Sequence, residues 1–285
     1  MACVYRQEQK HSQTAELPQS FVRTAKTLRH FPLDRYNAFM TEQPLLDNIS
    51  IVLVRTKTPG NIGAVARCMM NFGLSRLVLV RPPADRDEDA LRIAAGAEEI
   101  IHQARRFDTL ADAVTGHQLV IGTSRHRGRL RKNVRSPRRL AEELLPLLAE
   151  NKVALVFGRE VNGLDRADLA LCQELVAIPS SDAFPSLNLS HAVAVVAYEL
   201  FIASLAFGKA PLRTATRFAT SRELEQFYDH LQTTLQDIGF LDTNQPERMM
   251  ATLRGLFGRA RPDSRDISIL RGILTGVDQA AKKRH

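Results

Sequence analysis

Three short polar stretches hold the residue types that could do chemistry in this chain. The first, Gly60-Asn61-Ile62-Gly63-Ala64-Val65-Ala66-Arg67, sets an amide and a guanidinium six positions apart. The second, Phe157-Gly158-Arg159-Glu160-Val161-Asn162-Gly163-Leu164, places a carboxylate in a turn with glycines at both ends. The third runs from Ile178-Pro179 to Pro185-Ser186-Leu187-Asn188-Leu189-Ser190 and offers a hydroxyl and an amide ahead of an apolar segment. Glu160 reads as a catalytic acid or a hydrogen-bond anchor; the ordinary alternative is a helix first-turn carboxylate favoured by the dipole. Ser186 and Asn188 are natural N-caps, and a capping loop also offers backbone N–H groups to small polar ligands. Arg67 follows closely enough on the helix start to reach a crevice above strand ends, although a lone arginine is ordinarily a surface residue. No Ser-His-Asp or Cys-His arrangement is readable, and His117 and His191 read as ordinary polar residues. Cys3, Cys68 and Cys172 form no CxxC or Cys/His cluster, so no metal is expected.

The elements that must position these groups alternate. Apolar runs at Ile49–Val54, Leu77–Val80, Gln118–Gly122, Val153–Phe157 and Glu174–Ile178 predict strands. Between them lie helical patterns at Ile62–Phe72, with Asn61 as its cap and Gly73 beyond its end, at Ala90–Gln103 interrupted at Gly96, at Thr109–Val114, at Arg138–Glu150 and at His191–Leu205. Such alternation predicts an α/β fold with a mainly parallel sheet, and a ligand crevice at the carboxyl ends of its strands. Residues 208–220 read as a polar, basic linker. Three strandless helices follow, at Arg222–Ile238, Pro246–Phe257 and Asp266–Lys282. The expected organisation is a disordered extension over residues 1–47, an α/β domain over 48–207, the linker, and a small helical domain over 221–285.

A formal net charge of +8 and a pI near 9.7 favour a polyanionic partner. The run from Arg125 to Arg139 contains no acid. Its ordinary reading is a solvated loop; emerging from the carboxyl end of a strand, it is also placed to hold phosphates with salt-sensitive affinity. Cys68 and Cys172, within apolar helical patterns, read as free buried thiols in a reducing compartment, and no continuous apolar stretch of roughly 18 residues spans a bilayer. The polar start is not a secretory signal. A cytoplasmic protein without membrane contact is expected, its first residues an extension or upstream sequence read from a start before Met40. One competing reading takes Gly60 and Gly63 as part of a dinucleotide fingerprint. The spacing is wrong and the second strand ends in Arg81 rather than an acid, but an arginine there could meet a 2′-phosphate, which leaves a nicotinamide-dependent reductase open.

Together, Asn61-x-Gly63-Ala64-x-x-Arg67, Phe157-Gly158-Arg159-Glu160-x-x-Gly163-Leu164 and Ile178-Pro179…Ser186-Leu187-Asn188-Leu189-Ser190 resemble, in order and spacing, the three motifs of the TrmH-like branch of the SPOUT methyltransferases. The segments Phe227-Tyr228-Asp229-His230-Leu231, Gly239-Phe240-Leu241 and Leu256 to Pro262 through Leu274 resemble the TrmJ-type tRNA ribose methyltransferases. The resemblance covers about Asn48 to Gln279. It implies a SPOUT-type sheet with a C-terminal trefoil knot, a rare exception to unknotted topology, and a homodimer. It implies S-adenosylmethionine (SAM) as cofactor, held by Thr123, Ser124, Arg125, Gly158, Ile178, Pro185, Ser186 and Leu187. Arg67 carries over as the catalytic residue, with Asn61, Glu160, Ser186 and Asn188 around it. The implied substrate is the ribose 2′-hydroxyl of C or U at nucleotide 32 of the tRNA anticodon loop, gripped by Arg67, Arg127, Arg129, Arg131 and Lys132. One departure concerns that grip: the family's Ala-Arg and Pro-Trp loop after Thr-Ser is replaced here by Arg125-His126 and an all-basic stretch, and the chain has no tryptophan.

Overall fold

The computed structural model describes residues 45–83, 87–124, 134–183, 185–207, 216–241 and 246–283. Residues 1–44 of the expected extension, and Arg125, Arg127, Arg129, Arg131 and Lys132, lie outside them. Four strands are aliphatic runs buried on both faces, as strands covered by helices on both sides must be: β1 (Ile49–Val54), β2 (Arg76–Val80), β4 (Leu119–Thr123) and β6 (Val153–Phe157). The others are short: β3 (Arg105–Phe107), β5 (Val134–Arg135) and β7 (Glu174–Val176). The sheet order is β3-β2-β1-β6-β4-β7-β5, and every pairing is parallel. Thus β6 fills the gap between β1 and β4, and β7 the gap between β4 and β5.

Side chains alternate along each strand. Ile51, Leu53, Leu155 and Phe157 face one core with Ile62, Met69, Ala94, Leu144, Val193 and Leu200. Those partners come from α1 (Pro59–Asn71), α2 (Asp87–Ala94), α5 (Pro137–Leu144) and α7 (Leu189–Phe207). Val52, Val54, Val120 and Val156 face the other core with Val114, Leu164 and Cys172, under α4 (Leu110–Val114) and α6 (Arg166–Leu171). Several expectations need correction. Helix α1 begins with Pro59 after Thr58, so Asn61 lies inside the first turn rather than at the cap. The helix expected over Ala90–Gln103 is two, α2 and α3 (Glu98–His102), because Ala95 and Gly96 adopt φ of 42° and 94°. Cys68 is half-buried, not buried. Helix α7 is long and apolar enough to cross a bilayer by length and composition, contrary to the expected absence of such a segment; here its Val193, Val196, Ala197 and Leu200 pack into the core.

Helices α8 (Ser221–Asp237), α9 (Pro246–Ala260) and α10 (Ser264–Lys282) surround a core of their own, with Phe227 edge-on to Phe257 at 4.9 Å. Capping boxes start α8 (Thr220 with Glu223) and α10 (Asp263 with Asp266). Polar contacts fasten these helices to the α/β body. Arg261 donates to the buried carboxylate of Glu174 at 2.6 Å, and Arg135 at the edge of the sheet reaches the other oxygen of that carboxylate at 2.9 Å. Asn151 donates to Thr216 O and accepts from the Phe218 N–H.

Candidate active site

All strands being parallel, β1, β4, β6 and β7 deliver their carboxyl ends to one edge. After Phe157 the chain folds back at once: the Gly163 N–H donates to Arg159 O at 2.9 Å and Gly163 adopts φ 64°. Gly158 tolerates no side chain, since a Cβ there would lie 2.1 Å from the Gly163 carbonyl carbon and 2.2 Å from Leu164 N. This turn aims Glu160 across the edge at the start of α1. Its carboxylate accepts from the Lys57 N–H at 3.1 Å, the Thr58 N–H at 3.2 Å and Asn61 Nδ2 at 2.9 Å. It thereby satisfies orphan donors at a helix N-terminus, where a negative charge is favoured. Burial works to raise the Glu160 pKa, but the hydrogen bonds from Asn61, its own N–H, Lys57 and Thr58 outweigh it and hold the carboxyl below its ordinary value.

The chain of contacts continues. Asn188 Nδ2 donates to Asn61 Oδ1 at 3.2 Å, and Asn188 Oδ1 accepts from the Ser190 N–H and Oγ, both at 2.8 Å. Asn188 is therefore the cap of α7, as its residue type predicts, and three residues far apart in sequence lock three loops together. Glu160 is an anchor in this arrangement, not a first-turn carboxylate of its own helix.

A cavity of about 450 Å³ opens beside the lock. Thr123, Ser124, Gly158, Glu160, Ile178, Pro185, Ser186 and Leu187 line it. Thr123 Oγ1 donates to Val156 O at 3.1 Å and the Ser124 N–H to Val176 O at 3.0 Å, so the exit of β4 is fixed between its two neighbours. Sequence reasoning missed two cationic wall residues, Arg166 and Arg254. Arg254 comes from α9; Glu225 grips it through two hydrogen bonds, at 2.5 and 2.7 Å, and it stacks 4.3 Å over the Tyr228 ring. No short-range pattern links residue 254 to residue 158, so only the tertiary fold finds it. Arg67 is exposed on α1, about one and a half turns past Asn61, outside the residues that line the cavity. Next to it, burial pushes the Cys68 thiol pKa up, with Arg67 opposing, which makes a thiolate nucleophile unfavourable there. Among the described residues no cluster of three His, Cys, Asp or Glu could hold a metal ion.

The glycines of the first motif serve packing. A Cβ on Gly63 would lie 2.1 Å from Ala90 O, and one on Gly60 would lie 2.7 Å from Ile93 Cδ1, so both permit the approach of α2 to α1. Arg81 Nε donates to Asp108 O at 2.7 Å. Neither feature forms a dinucleotide site, which removes the structural basis of the reductase reading.

Residues 48–198 match the SpoU rRNA Methylase family, and residues 222–285 match the C-terminal domain of the tRNA methyltransferase TrmJ. The chain belongs to the SpoU methylase family. It is 44% identical over 248 residues to the tRNA (cytidine/uridine/adenosine-2′-O-)-methyltransferase TrmJ of Pseudomonas aeruginosa, covering 84% of this chain and 96% of that protein. With the tRNA (cytidine/uridine-2′-O-)-methyltransferase TrmJ of Salmonella typhimurium it shares 43% identity over 241 residues, covering 84% and 99%. The crystal structure of TrmJ from Z. mobilis ZM4 matches with a TM-score of 0.71 and 33% identity, over 80% of this chain and 98% of that one. This SpoU methylase is thus a methyltransferase, and SAM is its cofactor. The cavity suits such a ligand: aliphatic Ile178, Leu187 and Leu164 can flank an adenine ring, while Ser124, Ser186 and the turn backbone offer polar partners.

Proposed function

We propose that this SpoU methylase transfers a methyl group to the ribose 2′-hydroxyl of C or U at position 32 of the tRNA anticodon loop, acting as a cytoplasmic homodimer. The observation that carries the reading is the lock of Glu160, Asn61 and Asn188, which ties the three motif loops together beside a ligand-sized cavity. The 43% and 44% identity to tRNA 2′-O-methyltransferases supports the substrate class.

SAM, when bound, supplies an already activated sulfonium methyl. The chain must align the hydroxyl for in-line attack and stabilise the charge it develops. Thr123, Ser124, Arg125, Gly158, Ile178, Pro185, Ser186 and Leu187 hold the cofactor. A guanidinium does not act as a base in a protein, so Arg67 orients the hydroxyl and stabilises the alkoxide while phosphate or solvent takes the proton. Arg127, Arg129, Arg131 and Lys132 grip the RNA backbone. An exposed apolar patch on α1 and α7, with Met70 42% and Tyr198 48% exposed and Phe72 edge-on to Tyr198, supports pairing with a second copy. The trefoil knot belongs to the same proposal, supported by the late insertion of β6 and β7 between earlier strands.

A tritiated-methyl assay with tRNA, followed by mass spectrometry of the modified ribose, tests it. Wild-type protein should label ribose 32; Arg67→Ala should bind SAM normally and transfer nothing. Parallel loss of SAM affinity would make Arg67 a cofactor-binding residue. RNA binding without transfer by wild-type protein would mean a silent RNA-binding member of the family.

A further inference from the structure

The amino edge of the sheet, opposite the methyl-transfer cavity, holds a second cavity of about 450 Å³. Ser50 of β1, Arg76 of β2, Arg105 of β3, Lys152 just ahead of β6 and the turn Thr115-Gly116-His117 after α4 all line it. Nothing in the proposed methyl transfer uses these residues.

His117 is the buried member, 7% exposed. Its Nε2 lies 3.0 Å from Ser50 Oγ, and its Nδ1, closed to solvent, makes no well-formed hydrogen bond among the described residues, although the Val114 carbonyl acts on the ring. The turn that carries it is rigidly placed, because the first N–H groups of α8, at Ser221 and Arg222, donate to His117 O and Thr115 O. Arg76, Arg105 and Lys152 are exposed around it, and no ion pair engages any of them among the described residues. Arg105 is held against the Phe107 ring, 4.9 Å from its centroid. A single carboxylate lines the cavity, that of Asp47, which accepts from Ser75 Oγ at 3.2 Å. Three cations against one carboxylate leave the site positive. Burial chiefly, and then the charges of Lys152, Arg105 and Arg76 against the opposing pull of the Val114 carbonyl, take the His117 pKa down to about 4. Those three charges therefore act at one point, and they repel one another until an anion arrives.

We propose that this cavity binds a phosphate group, with Arg76, Arg105 and Lys152 supplying both the charge and the hydrogen-bond donors and the His117–Ser50 pair forming a polar wall. Its volume admits a phosphate together with its sugar. Two sources share that chemistry: a backbone phosphate of the RNA substrate, which rests on the tRNA reading above, and free inorganic phosphate. The RNA source is geometrically reasonable, because the five residues of β6 separate the two edges by roughly 17 Å.

The test is the triple variant R76Q/R105Q/K152Q beside the wild type and a charge-matched control, R92Q/R106Q/R265Q. Binding of tRNA is measured across a series of KCl concentrations, and inorganic phosphate is titrated into the RNA-free protein by calorimetry. If the site takes an RNA phosphate, tRNA affinity falls roughly tenfold and the salt slope loses about 1, more than in the control. If it takes free phosphate, the titration heat of the wild type disappears in the variant while tRNA binding matches the control. Variant and control behaving alike in both arms overturns the proposal. SAM binding reports that each variant is folded, and single R105Q gives the same readout should the triple variant fail that check. A wild type that transfers no methyl would sink the methyl-transfer reading while leaving the phosphate titration informative.

Discussion

The two edges of one parallel sheet have opposite characters. At the carboxyl edge the backbone donors that begin α1 and α7 are met by side-chain oxygens of the chain itself, Glu160 and Asn188. Glycine allows the tightest turn, and the cavity beside it is lined largely by apolar side chains. At the amino edge three cations share the cavity with one carboxylate, Asp47, and none of the three is ion-paired among the described residues. The difference lies in charge rather than in satisfaction, since Arg159 Nε beside the carboxyl-edge cavity also lacks a partner among the described residues: one edge sets its loops with its own carboxylate and amides, whereas the other gathers cations with little to neutralise them.

The comparison breaks most completely at Gly158. Alanine there collides with the backbone of Gly163 and Leu164; SAM binding by calorimetry and methyl transfer should both vanish, with folding weakened by about 3 kcal/mol from overpacking. Retained SAM affinity would show that the turn can open. The amino edge is probed by acid. The His117 pKa is lowered to about 4, so the folded protein refuses a proton that the unfolded chain accepts near pH 6.5. Stability is therefore full above pH 6.5 and falls as pH drops toward 4, by about 3 kcal/mol. Urea midpoints should follow that curve in the wild type and lose this component in His117→Gln; an identical curve in both would clear His117. Glu160→Ala strips the acceptor from Lys57, Thr58 and Asn61, and should cost about 2 kcal/mol in thermal unfolding together with most methyl transfer. Smallest is Thr220→Ala, which removes the capping box of α8, remote from the carboxyl edge. It should cost about 1 kcal/mol and leave SAM affinity unchanged, because neither Thr220 nor Glu223 is among the residues that line the cavity.

The sequence made the carboxyl edge legible and left the amino edge dark, for a physical reason. Long aliphatic strands announce themselves, and the loops after them carried Asn61, Glu160 and Asn188 in contiguous motifs. Polar edge strands do not announce themselves: β3 is Arg105-Arg106-Phe107, and β5 is two residues long. Helix α6 was equally hidden, although Asp165 and Asp168 form the capping box that marks its start. Asn61 suits a cap by its amide, but Pro59 in the first turn sets an earlier start. The cationic cavity draws Ser50, Arg76, Arg105, His117 and Lys152 from five separate segments, and no local pattern records that they meet.

Strand β6 has a consequence for how the chain is made. It sits between β1 and β4, so until Val153–Phe157 leaves the ribosome both of those strands carry an open edge with free N–H and C=O groups. A nascent chain halted earlier holds two sticky hydrophobic borders and no central strand to close them. A pause once residue 157 has cleared the ribosome should therefore favour correct assembly, and a stall that keeps residue 153 inside it should favour aggregation.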